Sequence, residues 1–305
     1  MSVDIVIVSF NTRDLLRACL DSVRAHGAGV PNLRTIVVDN GSSDGSPDLV
    51  RREYEEVCLV PLDRNLGFGA ANNRGMQVGS GDYLLFLNSD AELTVGALGT
   101  LVEFLERHPR CVAVGPRLEY PDGGFQPSCR RFPTLLRGFW NTAGLHRRLP
   151  RAFRRLHSWL TEREHVPGAK VDMVSGACFL VRRSYIESIG GFDENLFLYE
   201  EELDIFLPAR RRGYDVCYCP DARVIHHHGA SSGEFQGSDT SLYHLFRSKY
   251  YAFRKHYGAP VAALAFASDY AVFLASIVVN RLRGTPTSAG RHAGLCRKGY
   301  RGSFD

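Results

Sequence analysis

Acidic and imidazole side chains fall at several points where an apolar run has just ended or a helix is about to begin, and each point suits a different piece of chemistry. Asp39 closes RTIVV and opens DNGSSDGS. A carboxylate there can accept the imide N–H of uracil or thymine while Gly41 lets a ligand approach the backbone; the same letters also make an ordinary Asx turn followed by a helix cap at Ser46. Asp90 closes LLFLNS, where a carboxylate suits Mg2+ or Mn2+ bridging two phosphates, or else caps a helix from about Val95. FLYEEELDIF carries Glu200, Glu201, Glu202 and Asp204 at a helix start. The helix dipole favours acids there without any chemistry, yet a positioned carboxylate is also what deprotonating a sugar hydroxyl requires. The run VCYCPDARVIHHH ends in His226, His227 and His228, and a neutral imidazole from one of them is a candidate to join a metal on Asp90. Cys217 and Cys219 lack the spacing of a zinc knuckle and read as core.

These residues need elements to position them. DIVIVSF, RTIVVDN, CLVPLD, DYLLFLNSD and CVAVGP alternate with amphipathic stretches such as Arg13 to Ala25 and Val95 to Arg107. This is a βαβ rhythm, and runs this apolar suit parallel strands covered on both faces. Open sheets of that kind bind ligands beyond the carboxyl ends of their strands. Ser9, Phe10 and Asn11, then Asp39, Asn40, Gly41 and Ser42, then Asn88, Ser89 and Asp90 are therefore expected to converge on one crevice. A nicotinamide site would need a glycine fingerprint after the first strand; SFNTRD has no glycine, and GFGAANNRG at 67 to 75 resembles a glycine loop only weakly. From Arg117 to about Pro167 the periodicity fails and turn residues such as PDGG at 121 to 124 take over, which predicts loops and short irregular helices in an insert on the acceptor side. Regular patterning returns with VDMVSGACFLVRR, a short helix from Ser184, an acidic helix opening near Glu201 and the strand VCYCPDARVIHHH, after which the chain reads helical.

A chain of 305 residues holds one large α/β domain, or a domain with an appendage. Its net charge of +4 falls short of a nucleic-acid-binding balance, although Arg147, Arg148, Arg151, Arg154 and Arg155 fall together. Eight scattered cysteines read as reduced thiols, and the chain opens straight into an apolar run without the pattern of a signal peptide, so a cytoplasmic site of action is expected. Ala259 to Asn280 is almost wholly apolar, with Asp269 near its middle and Arg281 and Arg283 just after. A carboxylate at a bilayer centre costs about 2.5–3.5 kcal/mol. The segment 259–301 is accordingly expected to lie on the inner face of a membrane rather than cross it, with a buried helix or an oligomer contact as the alternative.

Taken in order, SFNTRDLLRACLDSV, VVDNGSSDGS, NLGFGAANNRG, LLFLNSDAEL, GACFLVRRSYIESIGGFDENLFLYEEELD and VIHHHGAS resemble a family 2 glycosyltransferase, particularly its bacterial rhamnosyltransferase-like branch, from about residue 3 to 256. The resemblance implies an α/β, Rossmann-like, mostly parallel sheet (the A-type glycosyltransferase fold) with a C-terminal helical extension, a divalent metal (Mg2+ or Mn2+) and displacement with inversion at the anomeric carbon. Residues 1–116 would form the nucleotide-sugar-binding half, 117–239 the acceptor-side and catalytic half of the same domain, and 240–305 the extension. Asp39 matches the family's base-recognising aspartate, Asn65, Gly67 and Asn72 lie in its donor-loop motif, Asp90 matches its metal-binding acid and His226 its metal-site histidine. Glu202 stands where the family places the aspartate of a Glu-Asp pair, its general base, with Glu201 before it and Asp204 after. Ser89 stands where proline is common, and Pro208 where many relatives carry arginine. Pro208 cannot donate to the Asp204 carbonyl and is expected to kink the helix that bears the acids.

The expected activity is transfer of a sugar, L-rhamnose as first guess, from a dTDP or UDP donor to a hydroxyl of a glycan, lipid-linked or small-molecule acceptor. The alternative, supported by Glu202 and Pro208, is a catalytically silent nucleotide-sugar-binding scaffold subunit of a membrane-associated assembly.

Overall fold

Runs rich in β-branched residues and leucine become strands where both faces can be covered, as the computed structural model shows; it describes residues 1–27, 29–145, 156–227 and 238–304. The first half alternates β1 (Val3–Ser9), α1 (Arg13–His26), β2 (Leu33–Asp39), α2 (Ser46–Glu53), β3 (Cys58–Pro61), α3 (Phe68–Val78) and β4 (Tyr83–Asn88), as the rhythm predicts. A short β5 (Ala91–Leu93) then leads to α4 (Ala97–Arg107) and β6 (Cys111–Glu119). α4 starts two residues later than the pattern suggests because Gly96, left-handed at φ 76°, supplies its N-cap.

In the described part of the insert after β6, two short strands accompany the loops and short helices that its composition predicts. It contains β7 (Phe125–Gln126), β8 (Cys129–Arg130) and α5 (Leu135–Thr142); the five clustered arginines from Arg147 to Arg155 lie outside the described residues. The chain continues through β9 (Met173–Val174), β10 (Cys178–Arg182), α6 (Arg183–Ser188), α7 (Glu201–Arg211) and β11 (Asp215–His226) to α8 (Asp239–Tyr257), α9 (Ala259–Leu282) and α10 (Ala289–Gly302).

Among the described residues one sheet runs β3-β2-β1-β4-β10-β6-β11-β5, with β7 on the side of β6. β3, β2, β1 and β4 are mutually parallel, β6 and β11 are parallel, and β10 joins the two groups antiparallel to both β4 and β6. Among the described residues two compact units emerge: one around the sheet, from residues 1–130, 159–197 and 201–227, and one from residues 131–145, 156–158, 198–200 and 238–304, whose elements α5, α8, α9 and α10 are helices. All eight cysteines are free thiols and seven are buried, Cys217 and Cys219 among them in the core of the sheet.

In the helical unit, Phe246, Tyr250 and Phe253 of α8 pack with Ala262 and Ala265 of α9 and Leu295 and Cys296 of α10. Asp269, the charge that interrupts the apolar run, is buried: it accepts hydrogen bonds from Lys249 Nζ at 2.5 Å, Tyr250 OH at 2.8 Å and Thr142 Oγ1 at 2.7 Å. The other face of α9 exposes Leu264, Leu274, Val278, Val279 and Leu282.

At the amino ends of the strands, away from the candidate site, a second buried charge is fully paired. Asp4 of β1 accepts from Gly81 N at 2.6 Å and from Arg183 Nη2 at 2.7 Å, while Arg183 also donates to the carbonyls of Gly81 and Met76. Removing one partner of a buried pair strands the other, at about 3–5 kcal/mol. Arg183→Met should lower the unfolding free energy in urea by that order; a loss under about 1 kcal/mol would show that the pair is solvated.

Candidate donor and metal site

Parallel register brings the polar strand ends together. Ser9 pairs with Asp39 and Val8 with Asn88, so β1, β2 and β4 end at one edge, on either side of the point where the strand order turns back. The Asn40 amide nitrogen donates to Asn65 Oδ1 at 2.9 Å, and Asn40 Oδ1 accepts from Leu66 N at 2.8 Å, so the second strand end holds the loop that enters α3. Gly41, at φ 83°, has room for no side chain: an added Cβ would lie 2.7 Å from the Arg64 backbone. Gly67, at φ 89°, is equally confined by the Phe197 carbonyl. Asn11, left-handed at φ 53°, accepts from Ser43 N at 2.8 Å.

Asp39 is buried. One oxygen accepts at 2.9 Å from Ser42 N, three residues on and so one residue beyond an Asx turn, while Oδ2 is buried and, among the described residues, accepts no hydrogen bond. A turn closed by one oxygen thus leaves the other unspent. The helix cap assigned to Ser46 belongs elsewhere: Gly45 is the N-cap of α2, and Asp44 accepts from both the Ser46 amide and its hydroxyl. Asn72 does not join the loop; it is buried in α3 and its amide donates to the Phe68 carbonyl at 3.0 Å. Ser89 accepts from the Thr12 hydroxyl at 2.9 Å, and Thr12 is also bonded to Ser9 at 3.0 Å, a tie that a proline at 89 could not make.

Asp90 caps no helix, since β5 and the turn after it separate it from α4. β11 returns antiparallel to β5 with His226 opposite Ala91, and this brings His226 Nε2 to 3.3 Å from Asp90 Oδ1, both side chains buried. His227 points the other way, its Nε2 at 2.6 Å from Glu92 Oε1, and His228 lies outside the described residues. Among the described residues no three His, Cys, Asp or Glu side chains cluster as a metal centre. Asp90 and His226 nevertheless fit a cation that takes its remaining ligands from phosphate and water, as Mg2+ and Mn2+ do.

α7 begins after two non-glycine residues held left-handed, Tyr199 at φ 71° and Glu200 at φ 69°, each at a cost of about 1–3 kcal/mol. Glu201 and Asp204 are buried, so the first turn is no solvated acidic cap. Glu202 is half-buried and accepts from Gly176 N at 3.1 Å; the neighbouring Ala177 carbonyl accepts from Asn88 N at 2.9 Å. Those two bonds set Glu202 beside the end of β4. α7 remains helical through Pro208 as far as Arg211, so the proline does not end it.

The sequence matches the family described as glycosyl transferase family 2 over residues 4–190. It is 35% identical over 224 residues to the N-acetylglucosaminyl-diphospho-decaprenol L-rhamnosyltransferase of Mycobacterium tuberculosis, covering 68% of this chain and 71% of the relative. The chain belongs to glycosyltransferase family 2. It is also 30% identical over 240 residues to the O-antigen biosynthesis protein RfbC of Myxococcus xanthus, covering 74% of this chain and 17% of that protein. Among solved structures, a mannosyltransferase from Pyrobaculum calidifontis in complex with GDP-Man and Mn2+ superposes with a TM-score of 0.55 at 16% identity, over 99% of this chain and 86% of the other. GalNAc-T7 with UDP, GalNAc and Mn2+ gives 0.56 at 18% identity, over 83% and 50%. This glycosyltransferase therefore has the A-type fold with a helical C-terminal region.

Sequence reasoning missed Glu92, Gly176 and Gln126, whose side chain bonds His226. The two-residue spacing of Asp90 and Glu92 was a usable signal; the other two are brought in only by tertiary pairing. Because His226 and His227 face different acids, His226→Ala should weaken Mn2+ binding by at least about tenfold and His227→Ala far less. Equal losses in a Mn2+ titration would remove His226 from the metal assignment.

Proposed function

We propose that this glycosyltransferase moves a sugar, L-rhamnose as first choice, from a dTDP or UDP donor to a hydroxyl of a lipid-linked acceptor, with inversion and with a divalent cation at Asp90 and His226. The observation that carries the reading is the Glu202 carboxylate, held by Gly176 N at the same strand edge as the Asp90–His226 pair. Asp39 is the proposed recognition group for the pyrimidine, its buried Oδ2 accepting the imide N–H. The choice of sugar and of a lipid-linked acceptor follows the mycobacterial rhamnosyltransferase relative. A bound cation would neutralise charge on the leaving diphosphate.

In the proposed step Glu202 takes the proton of the acceptor hydroxyl as its oxygen bonds to the anomeric carbon. The bond from that carbon to the diphosphate oxygen breaks on the opposite face, and the nucleoside diphosphate leaves with the electron pair. Glu202→Gln keeps size and most hydrogen bonding, so donor and Mn2+ affinity should stay within about twofold while transfer falls by roughly 10²-fold or more. Retained transfer in Glu202→Gln, with loss in Glu201→Gln or Asp204→Asn, would move the base to another acid.

A lipid-linked substrate calls for a membrane surface, and α9 offers one. Leu264, Leu274, Val278 and Leu282 recur at helical spacing on its exposed side, Arg281 and Arg283 flank Leu282, and Asp269 is satisfied inside the helical unit. The proposed pose lays this stripe in the headgroup region of an anionic bilayer. Truncation at 259 is a poor test, because α9 and α10 form part of the core around Tyr250. Replacing Leu264, Leu274 and Val278 together by glutamate leaves that core alone and should cut binding to phosphatidylglycerol vesicles by more than about tenfold, at the scale of burying apolar side chains. Unchanged vesicle binding would dismiss the membrane role of α9.

A further inference from the structure

Gln126 takes part in none of the roles assigned above, yet it is buried and bonded to His226 at both ends of that residue. The PDGG turn folds the chain back so that Gln126 pairs with Leu118 of β6. The segment behind it is held by His165, whose Nδ1 donates to the Thr161 carbonyl at 2.8 Å and whose Nε2 accepts from Ser128 N at 3.3 Å and Cys129 N at 3.1 Å. Burial keeps the His165 ring below the usual imidazole range, in keeping with that neutral pattern.

The geometry leaves one arrangement of the Gln126 amide. The His226 carbonyl can only accept, so the amide nitrogen, 3.2 Å away, must face it. The amide oxygen is then the atom 2.7 Å from His226 Nδ1, and because an amide oxygen cannot donate, Nδ1 must carry the ring proton. We infer that Gln126 is a positioning residue: it keeps a proton on His226 Nδ1 and holds the ring so that Nε2 faces Asp90 Oδ1. His227 is held the opposite way: its Nε2 faces the Glu92 carboxylate at 2.6 Å and must donate. Adjacent imidazoles are thus pinned through different nitrogens, His226 through Nδ1 and His227 through Nε2. The consequence for metal binding rests on the cation reading above; the proton on Nδ1 does not.

Long-range proton–nitrogen NMR on the full chain, metal-free and labelled with 15N-histidine, reads the tautomer directly, with His226→Ala assigning the signal. The wild type should show the proton on Nδ1. Gln126→Leu should lose that preference, and Gln126→Glu, which keeps an acceptor at Nδ1, should restore it. Mn2+ affinity should fall about 10–100-fold in Gln126→Leu and recover in part in Gln126→Glu. A wild-type ring with no proton on Nδ1 overturns the inference even if neither variant folds, and so does a folded Gln126→Leu protein whose Nδ1 is protonated to the same extent as in the wild type. If the tautomers behave as stated but the wild type binds no Mn2+, the metal reading fails and the positioning role of Gln126 stands.

Discussion

Everything at the candidate site depends on strand register. β1 lies parallel to β2 and β4 with no slip, so Ser9, Asp39 and Asn88 reach the same edge. A shift of one residue would turn Ile7 and Val37, both fully buried, toward the opposite face and carry Asp39 with them. The constraint is enforced by burial on both faces, since β1, β2 and β4 are lined almost throughout by buried apolar side chains. An edge built this way has little freedom, which is what a site needs if it is to hold a carboxylate at fixed distance from an imidazole.

The second constraint is the long return of β11. Its early residues run parallel to β6, a shift in register falls between Cys219 and Arg223, and its last residues pair antiparallel with β5. That path delivers His226 to Asp90 and His227 to Glu92 from more than a hundred residues away. The acids of α7 arrive by a third route. Two left-handed residues, Tyr199 and Glu200, aim the start of the helix, and Gly176, whose missing side chain leaves space for the Glu202 carboxylate, receives it. Strain and a bare glycine at one place are the kind of local cost that packing elsewhere sustains.

The helical unit buries a polar network beside its apolar core and leaves apolar side chains on its surface. Its interior holds the Asp269, Lys249, Tyr250 and Thr142 network, while the outer side of α9 is leucine and valine. A charge inside an apolar helix therefore says little about how that helix meets its surroundings until its partners are known. Here the partners come from α8 and α5, and neither is close to Asp269 in sequence.

The sequence by itself determined the sheet, the helices that cross over it, and which residues end the strands, because burial on two faces and helical periodicity are local patterns of apolar residues. Asp39, Asp90 and the acids before and within α7 were legible for the same reason: each stands where such a pattern stops. The tertiary structure decided which polar groups are spent on the fold and which remain for a ligand. Asn72 is bonded back into α3, Ser89 is tied to Thr12, Asp269 is satisfied internally, and Gln126 reaches His226. Hydrogen-bond partners across long stretches of chain leave no periodic trace, so only the folded geometry separates a side chain that supports the site from one that faces it.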